Sequence, residues 1–336
     1  MIGLIVRRLL QLPLILLVIY TLTVVLAFAI PGNPLDKPES RNIPIEMQEA
    51  MLKQYNLDSL PRFYFAYLDS ALGVRAVRER LSGRAAAEDA RLEAAGLAAP
   101  ERPVFDLGPS LKYEDWRVNE IIASALPVSI TLGLASIMIA VVLGVGAGVV
   151  GAARPNSIAD LSTLVIALVG ISLPSFVIGT ALVLIFPVWL GWGAIGGWGH
   201  LRHIALPALT LSLPFAAYIA RLTRMGMVEN LKADFIRTAR AKGVGEAGIL
   251  LRHALKNAFL PVLSFLGPAC AMAMTGSFVV ERVFSVPGLG QHFVNAVLNK
   301  DLFLIMGVVL IYSTMLILFN LAVDVMYRWV DPRIEH

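Results

Sequence analysis

An all-α integral membrane protein with six transmembrane helices is the fold class that three observations predict. Hydrophobic residues make up 57% of the chain and charged residues 15%, against about 25% charged in a soluble domain. The charges are clustered, so that long segments carry none. A hydrocarbon core about 30 Å thick takes roughly 20 apolar residues of helix, and six runs reach or approach that length: Leu9–Ile30, Ile121–Val150, Leu161–Leu190, Ile204–Ala220, Phe259–Val280 and Leu302–Val323.

The first run follows Arg7 and Arg8 and ends in Ala27-Phe28-Ala29, a pattern shared with cleaved signal peptides. A signal core holds about 7–15 residues; this run is longer and is read as an uncleaved first span. Residues 31–120 then form a long extracytoplasmic connection. Its stretch "MQEAMLKQYNLDSLPRFYFAYLDSAL" predicts helix with an aromatic face. "VRAVRERLSGRAAAEDARLEAAGLAAPE" follows, with acids and bases interspersed as in a solvated helix pair. The second and third runs are the longest and have room to tilt. Pro174, Pro187, Pro207 and Pro214 fall in or beside the third and fourth. Each removes a backbone donor and disturbs the preceding turn, so broken helices lining a pathway and packed kinks both stay open.

Lysine and arginine in short loops set orientation. Arg7 and Arg8 precede span one, Arg154 follows span two, and Arg221, Arg224, Lys232, Arg237, Arg240, Lys242, Arg252 and Lys256 follow span four. The two short opposite loops hold only Arg202, Arg282 and Lys300. Both termini of this multi-pass protein are therefore expected in the cytoplasm.

Enzyme chemistry finds little support. The dipeptide Gly-Lys never occurs, so there is no phosphate-binding loop of the Walker type, and no H-E-x-x-H is present. His200 and His203 are a weak metal hint, and Cys270, the sole cysteine, reads as a small buried hydrophobe. Ionisable groups at mid-span usually mark function, and none lies in the middle of the six runs; Asp324 stands at the inner end of span six with Arg328 as an expected i,i+4 partner. The spans carry instead Ser129, Thr131, Ser172, Ser175, Thr180, Thr210, Ser212, Thr275 and Ser277, with helix packing the expected role. A pore powered from outside itself remains. No nucleic-acid partner is expected, and membrane lipid is.

"ADFIRTARAKGVGEAGILLRHALKNAFLP", Ala233–Pro261, interrupts the apolar pattern. Burying Arg237, Arg240, Lys242, Arg252 and Lys256 would cost on the order of 10 kcal/mol, so the segment stays in the cytoplasm. Apolar residues spaced among the charges favour helix, and Gly243, Gly245 and Gly248 permit a left-handed turn or close backbone approach. A short helix, a glycine break and a second helix rising into span five would make a docking knob.

Arg237-Thr238-Ala239-Arg240-Ala241-Lys242-Gly243 resembles the cytoplasmic loop of ABC-importer permeases, although that pattern usually begins Glu-Ala-Ala. "FIRTARAKG" followed by "RHALKNAFLPVLSFLGP" is the form of the dipeptide/oligopeptide branch. "RRLLQLPLILLVI…AIPGNP", "DLGPSLKYEDWRVNEIIASALPVSITLGLAS", "GSFVVERVFSVPGLGQHFVNAVLNKD" and "NLAVDVMYRWVDPRIEH" agree with it in the family's order. The stretch from about Gly73 to Val104 stands as an insert.

The resemblance implies the type I ABC importer permease fold, in a bacterial cytoplasmic membrane. Residues 1–30 would be the tail and first span, 31–120 the extracytoplasmic region, and 121–336 the permease core with a coupling loop at about 221–258. Arg237, Thr238, Ala239, Arg240, Ala241, Lys242, Gly243 and Gly245 would dock on an ATPase. The implied partners are a second homologous permease, two ABC ATPases that use ATP and Mg, and an extracytoplasmic peptide-binding protein. This chain itself would hold no cofactor and do no covalent chemistry. In "VERVFSVPGLGQHF", Glu281, Phe284, Pro287, Gly288, Leu289 and Gly290 would fold over the external mouth as an outer gate; an ordinary connector with a Glu281–Arg282 couple is the alternative. Peptides are the implied cargo, with nickel, heme, glutathione or a sugar oligomer as alternatives on the same fold, and an intramembrane enzyme behind them.

Overall fold

A computed structural model describes residues 2–32, 35, 45–96, 102–113, 115–275 and 278–330. Among these the regular structure is helical, apart from an isolated antiparallel bridge between Pro109 and Arg117. Five helices are long and apolar enough to cross a membrane, and a bent pair supplies a sixth candidate. The chain divides into two compact units, Met1–Leu12 with Ala125–Gln291 and Thr314–His336, and Pro13–Ser124 with His292–Ser313.

In the second of these units, the C-terminal part of α1 (Ile2–Ala29) packs against α3 (Leu60–Ala71). The predicted aromatic-faced helix is two helices, because α2 (Ile45–Gln54) ends before Asn56, which has φ +56°, and Pro61 opens α3. Tyr20 stacks on Tyr67, and Phe63 meets both Phe28 and Phe303. α4 (Val74–Leu81) and α5 (Arg84–Ala94) follow as the largely exposed pair that the charge pattern predicts. Asp301 is fully buried and knots this unit: its Oδ2 accepts from Ser110 Oγ (2.5 Å) and the Leu111 amide (3.1 Å), while Oδ1 accepts from Leu304 N (3.2 Å). That last bond caps the start of α15 (Leu302–Val330).

The other unit is a bundle of α6 (Val118–Ala153), α9 (Leu201–Asn230) and α12 (Leu255–Thr275). Small residues bring these helices together, since a Cβ on Gly144 would sit 2.6 Å from Ala216 O and one on Gly148 2.5 Å from Thr223 Cβ. Such contacts replace the hydrophobic driving force that lipid does not supply. The expected third span is not one helix. α7 (Ile158–Ser172) and α8 (Ser175–Val183) meet at a 105° bend where Pro174 starts the second helix, and Pro187 lies in a wide π-type turn at Leu184–Trp189. Pro207 and Pro214, by contrast, sit inside a continuous α9.

Several hydroxyls that the sequence marks are bonded locally: Thr131 donates to Pro127 O, Thr210 to Leu206 O, Ser212 to Leu209 O and Thr275 to Ala271 O. Ser277 lies outside the described residues, as do the last six residues of the C-terminal block. Asp324 is paired with Arg8, whose Nη2 is 2.9 Å from its Oδ2. The partner expected from spacing, Arg328, has a side chain outside the described residues.

Candidate functional site

The basic segment after α9 folds as a short helix standing on a buried base. α10 runs Asp234–Ala241 with an acid in its first turn, complementing the positive helix end. It turns Ile236 and Ala239 inward, where Ile236 packs with Met227, Ile249, Ala254, Ala258 and Ala152. Arg237, Thr238, Arg240, Ala241, Lys242, Gly243 and Gly245 are exposed. Of the eight residues assigned to docking, Ala239 alone points into the base. Its role is therefore anchorage.

Gly243 ends the helix. Its φ is +79°, a left-handed conformation that costs a residue with a Cβ about 1–2 kcal/mol. Its amide donates to Arg240 O (2.9 Å), and the Val244 amide donates to Ala239 O (3.2 Å). These two bonds form a Schellman closure, and Val244 completes it by packing on the base. Beyond the turn, Glu246 accepts from Arg240 Nε (3.0 Å) and Nη2 (3.2 Å), and this bond pushes the Arg240 pKa still higher. α11 (Glu246–Gly248) then runs through a π-type turn at Ile249–Ala254 into α12. Nothing lies within 4 Å of where a Gly243 or Gly245 side chain would stand. The face is open for a partner.

A second constellation lies at α13 (Phe278–Val283) and the turn that follows. Glu281 is completely buried, and among the described residues it does not form the couple with Arg282 that the alternative connector reading supposes. Its Oε1 accepts from Ser129 Oγ of α6 (2.8 Å), and its Oε2 accepts from the Gln291 amide (3.1 Å). Ser129 Oγ in turn accepts from the Leu289 amide (2.8 Å) at the start of α14 (Leu289–Leu298). Gly288 has to be glycine, because a Cβ would lie 2.4 Å from the Glu281 carboxyl carbon. Phe284, Leu289 and Gly290 are buried beside it, whereas Pro287 is exposed. Gly288 and Gly290 stand directly against the Glu281 carboxylate, and Leu289 is linked to it through Ser129.

Asp160 was not singled out by the sequence. It is 2% exposed on the side chain and binds Arg224 through both oxygens, with Arg224 Nη2 at 2.7 Å from Oδ2. The Asn156 amide also donates to Oδ2 (2.8 Å), and Ser157 caps α7 by accepting from the Asp160 amide. The pair ties the first turn of α7 to α9 six residues before its end. The signal was present as Ser157-x-x-Asp160 ahead of an apolar run.

Residues 140–336, which hold α9, the basic segment and the buried turn, match the family described as the binding-protein-dependent transport system inner membrane component. The chain belongs to that family. This permease is 39% identical to the oligopeptide transport system permease protein OppB of Escherichia coli over the full length of both chains. It is 46% identical to OppB of Haemophilus influenzae over 69% of its own length and 76% of the relative's. The dipeptide transport system permease protein DppB of Bacillus subtilis is 37% identical over 95% of this permease and 94% of that relative. A solved inward-facing structure of the MetNI methionine ABC transporter superposes with a TM-score of 0.51 at 21% identity, covering 63% of this chain and 96% of that one. The permease thus has the all-helical fold of the type I ABC importers.

Proposed function

We propose that this permease imports peptides, as one of two homologous permeases that enclose the path between them. Two ABC ATPases in the cytoplasm, using ATP and Mg, would supply the energy, and an extracytoplasmic binding protein would deliver the peptide. The names of the relatives, oligopeptide and dipeptide permeases, support the cargo. The observation that carries the coupling role is α10 with its closing turn: seven of the eight assigned residues, from Arg237 to Gly245, are exposed on a base shared with α9 and α12. ATPase closure would press on this knob, and both termini would lie on its side of the membrane. The turn at Glu281–Gly290 would close the opposite mouth as an outer gate. The stretch 73–104 is read as an insert; the aligned region is a smaller share of this chain than of the H. influenzae relative, which is therefore about a tenth shorter.

The test is Gly243→Val. The variant is strained by about 1–2 kcal/mol at a site where nothing else is touched. Membrane insertion and assembly of the permease pair are expected to be retained, with binding-protein stimulation of ATP hydrolysis lost and peptide uptake reduced sharply. Uptake at the unmodified rate would show that the segment is an ordinary loop.

A further inference from the structure

α7 meets α9 through small side chains. Ala167, two turns on from Asp160, is the one apolar residue that α7 buries, and a Cβ on Gly170 would stand 3.4 Å from both Ala217 Cβ and Leu213 O. The large apolar side chains of α7 turn elsewhere, since Leu161, Val165, Ile166, Leu168 and Val169 are all exposed. Small residues let two helices approach closely, but without interlocking side chains such a contact fixes no angle.

The angle is fixed at one end. Arg224 of α9 grips both oxygens of Asp160, and the same carboxylate accepts from the Asn156 amide in the turn that leaves α6. A Cβ on Gly151 of α6 would lie 3.1 Å from Asp160 Oδ1 and 3.5 Å from Arg224 Cδ. Three helices thus close on one ion pair. As a source of stability a buried pair is poor, because desolvation offsets the Coulomb attraction. A two-point fork of guanidinium on carboxylate adds geometric restraint instead.

Both ends of this joint lead somewhere. Met227, one turn along α9 from Arg224, packs with Ile236 of the α10 knob. In the other direction α7 ends at the 105° bend, and α8 lays Gly179 against the outer turn. A Cβ on Gly179 would meet Phe284 Cε2 at 3.2 Å, Thr210 Cγ2 at 3.3 Å and Val283 Cγ1 at 3.4 Å.

We propose that Asp160 and Arg224 are positioning residues, through which the bent arm of α7 and α8 carries a displacement of the knob to Phe284. The inference rests on the coupling and gate roles proposed above. With the fork closed, the first turn of α7 follows α9, and α8 shifts against the outer turn. With the fork open, α7 slips on its smooth face and the knob moves alone.

The test uses the permease assembled with its partner permease and ATPases in lipid nanodiscs, with Cys270→Ala and a reporter cysteine at Ser285, which is exposed next to Phe284. The rate of maleimide labelling at 285 is read with and without ATP and vanadate. Thermal unfolding and retention of the ATPases are read on the same samples. With the fork intact, trapping is expected to change the rate several-fold. Asp160→Asn, and Arg224→Lys, which keeps the charge but not the two-point grip, are expected to retain the ATPases and lose most of that change. Variants that unfold at lower temperature yet keep the full change would overturn the proposal, because the pair would then only stabilise. So would a rate that trapping leaves unaltered when the fork is intact. Gly243→Val separates the two readings. A full change in that variant would overturn the coupling role itself. Loss there, with a full change in Asp160→Asn and Arg224→Lys, would overturn the bent arm alone.

Discussion

Glu281 is a carboxylate without exposed surface, and its neighbours are sized around it. Ser129 and the Gln291 amide donate to it, and Gly288 leaves the space its carboxyl group fills. Removing the carboxylate would leave buried donors unmet, at about 1–3 kcal/mol. Glu281→Ala is expected to lower the unfolding temperature of the detergent-solubilised permease. With Glu281→Gln, which keeps one carbonyl acceptor, the fall should be smaller. If Leu289 closes an outer gate through this network, the alanine variant should also hydrolyse ATP without loaded binding protein. An unchanged unfolding temperature in both variants would show that the buried contacts contribute nothing. The sequence placed Glu281 at the membrane edge beside Arg282, and adjacency suggested that couple. One of its partners, Ser129, is 152 positions away, on α6. No local pattern reports such a distance.

Elements were more legible than partners. Length and hydropathy located the core of each span but not its ends, since α9 runs ten residues past Ala220 and α15 seven past Val323; the glycine pattern placed the closure of α10. Prolines were ambiguous for a physical reason. Pro174 has no helical residue before it: Leu173 is extended, with ψ 130°, as a residue preceding proline prefers. Pro207 and Pro214 look the same in sequence, yet α9 is packed against α7 and α12 along its length and stays continuous. Tertiary contacts decide which proline breaks a helix. The same packing makes a test of α6 against α9. Gly144→Leu is expected to destabilise the bundle by about 1–3 kcal/mol or more, since its Cβ would already overlap Ala216 and Ile219. Gly146, two residues on, meets nothing within 4 Å, so Gly146→Leu should leave thermal aggregation of the purified protein where it was. Similar losses from both would mean that the close helix contact carries no weight.

At the scale of the whole molecule, the lysine and arginine asymmetry makes a prediction about sidedness. With Cys270→Ala as background, single cysteines at Glu88 and Leu298 are expected to react with a membrane-impermeant maleimide applied to intact spheroplasts. A cysteine at Asn230 should react only after permeabilisation. The reverse pattern would invert the topology and with it the assignment of the α10 knob to the cytoplasm. The membrane class and the permease family could both be read before any coordinates. The pairing of Asp160 with Arg224 could not: Ser157-x-x-Asp160 marks a helix start, but Arg224 counted only as a loop charge until α9 was seen to extend past it to Asn230.

That extension has a mechanical meaning. α9 holds 30 residues, a rod of about 45 Å, and its last turns share Met227 and the Asp160–Arg224 pair with the knob and with α7. If α10 takes a push from an ATPase, as proposed above, that push passes through this shared packing into a long helical arm. A sideways shift of about 2 Å at one end swings such an arm by roughly 3° about the other. Where the arm is pivoted would then decide the stroke of the machine: a fulcrum near the knob turns a small closure into a wide opening, and one near the far end does the opposite.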